Sequence, residues 1–264
     1  MRREHRDGPQ SSLLYDMVQI SWKAIKWERK HTKKGLATIE KEAVLFDLDD
    51  TLYDRFPAIR TYAIRYFHRD FQNSLESLNP DVLAELIIEA DGGPFRSGKE
   101  AMQALQRLLP WSGSIPSWRT LMDHWFQYFP LCSEKTSEMD ETLERLKHCG
   151  YQLGVVTNGL GPRQNQKIDT LGIRSYLDAI SISGEVGVKK PDPRIFHHAL
   201  EQLQMPPEKV WFVGDNPVMD IYGAKSADLT PIWIQRYDRP WHGPLMAPPD
   251  TVRSLREIFQ FIPS

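Results

Sequence analysis

The sequence predicts an α/β fold: a parallel sheet with helices on its faces and an all-helical module inserted after the first strand. Five short apolar runs rich in β-branched or aromatic residues are bounded by turn signals, and the last four recur at the spacing of βαβ units. About a hundred residues of helical periodicity separate the first run from the second, far more than one crossover needs.

The runs lie at 43–48, 151–157, 178–183, 209–214 and 230–235. Their continuous rather than alternating apolar character suits parallel strands buried on both faces. Between the last four, helices are predicted over 162–171, closed by Gly172, over 193–204, with Pro193 in its first turn, and over 217–227. The insertion reads as helices over 56–75, 80–90, 98–109 and 117–129, and a helix over 139–149 leads back to the second strand. Pro80, the Asp91-Gly92-Gly93-Pro94 cluster and the segment 110–116 supply the breaks. The expected organisation is a basic helical extension over 1–40, a core domain built from 41–54 and 139–264, and a helical domain over 55–138.

Composition narrows the function classes. The 264 residues are 41% hydrophobic and 26% charged, with 33 Lys+Arg against 35 Asp+Glu. That balance excludes wholesale disorder and a strongly basic nucleic-acid binder. Cys132 and Cys149 stand far apart with no Cys-x-x-Cys, so neither a disulfide framework nor a zinc finger is expected, and a cytoplasmic location fits. No run approaches the roughly 20 apolar residues of a membrane span, and the first residues do not read as a secretory signal. Residues 1–40 hold nine Lys/Arg against five Asp/Glu. Leu14, Met17, Val18, Trp22 and Ile25 make an incomplete helical stripe there. It reads as a helix docking on the body or on a second subunit. Its basic residues, interleaved with Trp22 and Trp27, also suit contact with an anionic membrane or a nucleic acid.

The strand ends carry the chemistry. The first ends in Asp47-Leu48-Asp49-Asp50-Thr51, placing two carboxylates at i and i+2 in the crevice where open α/β sheets bind ligands. Their repulsion calls for a proton or a hard cation such as Mg²⁺. Thr157-Asn158-Gly159 offers a hydroxyl, an amide and backbone N–H groups suited to a tetrahedral oxyanion. Lys189-Lys190-Pro191 delivers a cation on a restricted backbone, and Gly214-Asp215-Asn216 through Asp220 adds carboxylates for a metal.

These four segments, in this order, resemble the haloacid dehalogenase superfamily of hydrolases, whose pattern is hhhhDxDxT, hhhT/S, a Lys, then hhhhGDxxxxD, where h is apolar. The resemblance spans roughly residues 43–235. It implies a Rossmann-like core with an inserted helical cap of the C1 type. It implies that Asp47 is the nucleophile that forms an aspartyl-phosphate, and that Asp49 is the general acid and then base. Mg²⁺ is expected on the Asp47 carboxylate, the Asp49 carbonyl and Asp215, supported by Asp220. Thr157, Asn158 and Lys190 are expected to bind the phosphoryl group.

An acid at Asp49 favours phosphate chemistry over dehalogenation, because the carbon-attacking members lack it. The function expected is therefore a Mg²⁺-dependent phosphatase for a small phosphomonoester, with no nucleic-acid partner. A phosphomutase or a non-catalytic protein of the same fold are the alternatives. Lys189 reads as a solvated neighbour, Asp50 and Thr51 as shaping the turn, and His197 and His198 as non-catalytic. Ala227-Asp228 departs from the family's Ala-Gly, and Asp tolerates the left-handed backbone expected there. Residues 91–99, with Tyr53, Asp54 and Arg55, are candidates for lining the pocket.

Overall fold

A computed structural model describes residues 42–93, 96–237, 241 and 250–263. The 1–40 extension, with its stripe and its proposed contacts, lies outside the described residues, as do Pro94 and Phe95.

Among the described residues, six parallel strands form one sheet in the order β3-β2-β1-β4-β5-β6. They are β1 (Ala43–Phe46), β2 (Gln152–Thr157), β3 (Ala179–Ile182), β4 (Val210–Gly214), β5 (Thr230–Ile234) and β6 (Thr251–Val252). Each residue of β1 is buried, as a continuous apolar run in a sheet covered on both sides should be. Val44 and Phe46 join the apolar cluster on one face, and Ala43 and Leu45 the cluster on the other. β1 sits between β2 and β4, so the chain leaves the sheet in opposite directions on its two sides. This is the switch point where such sheets bind ligands, and Asp47 follows directly. β6 was not foreseen, because two residues carry no readable periodicity.

The insertion between β1 and β2 is helical, as expected. Helix α1 (Arg55–Tyr62) runs on without a break through a π turn at Ala63–Phe67 into His68–Phe71, so the helix expected over 56–75 is one rod with a bulge. Helix α2 (Pro80–Asp91) starts with Pro80 behind the Asn79 cap and stops at Gly92, whose φ of 63° ends the turn. A Ser97/Glu100 capping box opens α3 (Gly98–Leu108). Ser117 caps α4 (Trp118–Tyr128), and Thr136 caps α5 (Ser137–His148). The cluster that holds Val44 and Phe46 continues through Ile59, Leu83, Leu105 and Leu121, so insertion and sheet share one apolar interior.

After β2 come α6 (Gly161–Thr170) and, beyond β3, α7 (Pro193–Leu203), capped by Asp192. The helix expected over 217–227 is a π turn, Pro217–Tyr222, followed by α8 (Gly223–Ser226). Asp228 takes φ 61°, the left-handed value anticipated for it. Among the described residues no helix is long and apolar enough to cross a membrane.

Candidate active site

The carboxyl ends of β1, β2 and β4, with the loop after β3, open into one cavity of about 550 Å³. Its floor holds Asp47, Thr157, Lys190, Asp215 and Asp220, and the insertion supplies its far wall through Met102, Met122, Trp125, Phe126 and Phe129. All the residues anticipated from the four sequence segments line this one space.

Asp47 follows β1, its N–H donating to the Val213 carbonyl at 2.9 Å. Lys190 Nζ stands 2.5 Å from Asp47 Oδ1 and 2.7 Å from Asp220 Oδ1, with only 3% of the lysine side chain exposed. Burial pushes the Asp47 carboxyl up to about 7, with Lys190 opposing the rise and Asp220 adding to it. Burial also works against the Lys190 ammonium, but the two carboxylates overcome it and hold its pKa above the ordinary lysine value. Lys189 is exposed, as read from the sequence.

Asp220 comes close because Gly214 makes room. A Cβ on Gly214 would meet Asp220 Cγ at 2.6 Å and Oδ2 at 2.7 Å. Asp220 Oδ2 also accepts from the Asn216 N–H at 2.9 Å, so the residue caps its turn and faces Lys190 at once. One carboxylate oxygen from each of Asp47, Asp215 and Asp220 lies within 4.8 Å of the others. Magnesium–oxygen distances of about 2.1 Å set ligand oxygens roughly 3 to 4 Å apart, so a small contraction of this set of hard donors fits Mg²⁺.

Asp49 points to a second cluster. Lys167 Nζ lies 2.7 and 2.9 Å from its two oxygens, Tyr53 donates its hydroxyl at 2.6 Å, Arg55 donates at 3.1 Å and Gln164 at 3.0 Å. Burial disfavours the charge, yet Lys167 and Arg55, with the bonds from Lys167 and Tyr53, hold the carboxyl well below the usual range. Burial draws the Lys167 ammonium below its ordinary value, with Asp49 opposing. Arg55 also reaches Asp91 at the end of α2, 2.8 Å away, and so ties the Asp49 loop to the insertion.

Thr157 is buried, and its hydroxyl accepts from Gln164 at 2.7 Å. Asn158, read from the sequence as a phosphate-binding amide, gives both ends of its side chain to the Lys190 backbone: Oδ1 accepts from the Lys190 N–H at 2.8 Å and Nδ2 donates to its carbonyl at 3.1 Å. Asp50, at φ 59°, accepts from the Arg55 N–H and the Tyr237 hydroxyl, in keeping with its reading as a turn residue. His197 is exposed and His198 bonds to Ser181.

Gln164 and Lys167 were missed in the sequence. The signal was present: on α6 they stand at i and i+3, on the helix face that begins directly after the Thr157 segment.

A family model described as haloacid dehalogenase-like hydrolase matches residues 44–234. The chain is 34% identical over 176 residues to a phosphoserine phosphatase of Thermus thermophilus, covering 65% of this chain and 67% of that one. It is 31% identical over 203 residues to a glyceraldehyde 3-phosphate phosphatase of Methanopyrus kandleri, covering 74% and 84%. Among solved structures it resembles the HAD-hydrolase YfnB of Bacillus subtilis bound to magnesium, with a TM-score of 0.69 at 22% identity, covering 85% of this chain and all of that one. At that identity the likeness speaks for the fold. From the matched span, the relatives and the parallel sheet together, this chain belongs to the haloacid dehalogenase-like hydrolases.

Proposed function

We propose that this chain is a Mg²⁺-dependent phosphatase that hydrolyses a small phosphomonoester through an aspartyl-phosphate at Asp47. The observation that carries the reading is the meeting of Asp47, Thr157, Lys190, Asp215 and Asp220 in one cavity at the ends of successive strands. The phosphatases among its relatives support it.

The Asp47 carboxylate attacks phosphorus while the ester P–O bond breaks, and Asp49 passes a proton to the leaving oxygen. Water then gives a proton to Asp49 and attacks the same phosphorus, releasing phosphate and restoring Asp47. The ionised state in which Lys167 and Arg55 hold Asp49 suits this second step. A leaving group of low proton affinity, such as p-nitrophenolate, needs no acid in the first. Lys190 and the Thr157 hydroxyl hold non-bridging oxygens, and Asn158 positions Lys190 through its backbone. The Asp47 and Asp215 carboxylates and the Asp49 carbonyl, with Asp220 beside them, would hold Mg²⁺, whose charge would let a phosphate dianion approach this acidic floor.

In this reading residues 55–138 are the cap and residues 41–54 with 139–264 the core. The cap walls off the leaving-group side of the cavity. A cytoplasmic setting suits Cys132 and Cys149, which are both free thiols.

The test is Mg²⁺-dependent phosphate release from p-nitrophenyl phosphate and a panel of natural phosphomonoesters. Wild type is expected to be active, and Asp47→Asn to lose about a thousandfold or more. A wild type inert toward the whole panel, or an Asp47→Asn variant that keeps its rate, defeats the reading. An isomerised product in place of free phosphate assigns the core to a phosphomutase.

A further inference from the structure

Strand β5 carries none of the motif residues, and none of its side chains lines the cavity. Its carboxyl end nevertheless reaches both loops assigned to the metal. β5 pairs with β4 so that Trp233 stands beside Gly214, the residue before Asp215. From there the buried indole donates its Nε1–H to the Asp215 carbonyl at 2.7 Å. On its other side β5 is held by β6, with Trp233 opposite Thr251 and Ile234 opposite Val252. The sheet thus fixes the indole from both sides, and the indole fixes the height of the Asp215 backbone.

Just beyond β5, Arg236 reaches past β4 to the loop that follows β1. Its Nη2 donates to the Thr51 carbonyl at 2.9 Å and its Nε to the Asp50 carbonyl at 3.3 Å, while Nη1 stands 3.4 Å from Asp54 Oδ1. Only 13% of the arginine side chain is exposed. Tyr237 adds a hydroxyl bond to Asp50 Oδ1 at 3.1 Å and lays its ring against Phe56, with centroids 4.1 Å apart. This loop needs holding, because Asp50 takes a left-handed φ of 59°, which a residue with a Cβ keeps only where its surroundings impose it. The rigid fork of a guanidinium sets two successive carbonyls at once. The peptides it fixes lie directly after the Asp49 carbonyl.

We propose that Trp233 and Arg236 are positioning residues that set the Asp215 loop and the Asp49 loop against each other, so that their oxygens meet at the spacing Mg²⁺ requires. The inference rests on the assignment of the ion to Asp47, the Asp49 carbonyl and Asp215. Each residue acts through backbone carbonyls and stands outside the cavity where substrate binds. Mg²⁺ demands near-octahedral geometry at about 2.1 Å, so a loop displaced by a fraction of an ångström loses affinity. Groups that orient metal ligands from behind commonly govern about ten- to a hundredfold of metal affinity.

Calorimetric Mg²⁺ titration of the full chain at about pH 8 compares wild type with Trp233→Phe, Arg236→Met and Arg236→Lys. Trp233→Phe keeps an aromatic ring and removes the N–H, and Arg236→Met keeps most of the aliphatic stem and removes the donors. Trp233→Phe and Arg236→Met are each expected to weaken Mg²⁺ binding by about tenfold or more, and Arg236→Lys, which can still reach one carbonyl, to fall between Arg236→Met and wild type. With p-nitrophenyl phosphate, the Mg²⁺ needed for half-maximal rate should rise by the same factor, while KM at saturating Mg²⁺ stays within about twofold of wild type. Should Arg236→Met not fold, Arg236→Lys against wild type carries the same comparison. Folded variants that bind Mg²⁺ as wild type does, whatever they lose in thermal midpoint, overturn the inference and leave the phosphatase reading standing. So does a raised KM with an unchanged Mg²⁺ requirement. A wild type that binds no Mg²⁺ removes the metal assignment, and the inference with it.

Discussion

Lys190→Met tests the electrostatics of the floor most directly. The ammonium sits 2.5 Å from Asp47 and 2.7 Å from Asp220, and all three side chains are less than a tenth exposed. Methionine fills much of the same volume, so what is lost is the charge. Removing one partner of a buried ion pair costs about 3–5 kcal/mol, because the remaining charge has no compensation. At about 2–4 °C per kcal/mol for a domain of this size, the metal-free midpoint should fall by roughly 6–20 °C near pH 8.

The sign of the pH dependence follows from Asp47. Lys190 opposes the rise of its carboxyl to about 7, so without the lysine the value climbs further. The folded pKa then lies well above the unfolded value of about 3.9, and the folded variant binds more protons than the unfolded one. That stability is present below the unfolded pKa and is lost as pH rises through the folded one. The gap to wild type should therefore narrow as pH falls from about 8 to about 5.5. Scanning calorimetry at several pH values, without metal, gives both numbers. A variant that melts within about 2 °C of wild type at pH 8, or a gap that stays constant on acidification, would refute the reasoning.

Two further outcomes follow from the same floor. Asp47 must shed its proton to bind an ion, so apparent Mg²⁺ affinity should weaken by about tenfold per unit below pH 7 and level off above it; calorimetric Mg²⁺ titrations at several pH values check this, and a flat profile contradicts it. Gly214→Ala drives a methyl group into Asp220 and should raise the Mg²⁺ needed for half-maximal rate by about tenfold, with a stability loss of about 1–3 kcal/mol; an unchanged Mg²⁺ requirement would show that Asp220 tolerates displacement.

The strands that carry the site were legible because each is a continuous apolar run ending in a polar group. The 43–48 run contains β1 and Asp47, and the 209–214 run contains β4 and reaches Gly214. β6 escaped because a two-residue strand is defined by its neighbour and has no pattern of its own. The π turn at Pro217–Tyr222 escaped because helical and π windings share nearly the same residue spacing over one turn. In the site, residues named by a local motif were readable, whereas partners supplied across the fold were not. Lys167 lies more than a hundred residues from Asp49 in sequence, and although it shares a helix face with Gln164, nothing local says that this face turns to Asp49. Asn158 shows the opposite difficulty. Its position beside Thr157 suggested an oxyanion ligand, and only the three-dimensional return of the chain at Lys190 shows what its amide bonds to.

That small clamp makes one piece of two loops. Asn158 follows β2 and Lys190 follows β3, yet two hydrogen bonds from one side chain set the height of the second loop by the first. The hydroxyl of Thr157 and the ammonium of Lys190 are thus gauged against each other, as two jaws of a caliper share one bar. Insertions between Gly187 and Lys190 can lengthen the outer part of the loop, provided that the last residues still return to Asn158, whereas Ser183 and Gly184 are tied to Gly159. Variation in this protein's relatives should accordingly gather at Val188 and Lys189, beyond Gly184, which is pressed against the backbone of Gly159, Leu160 and Gly161.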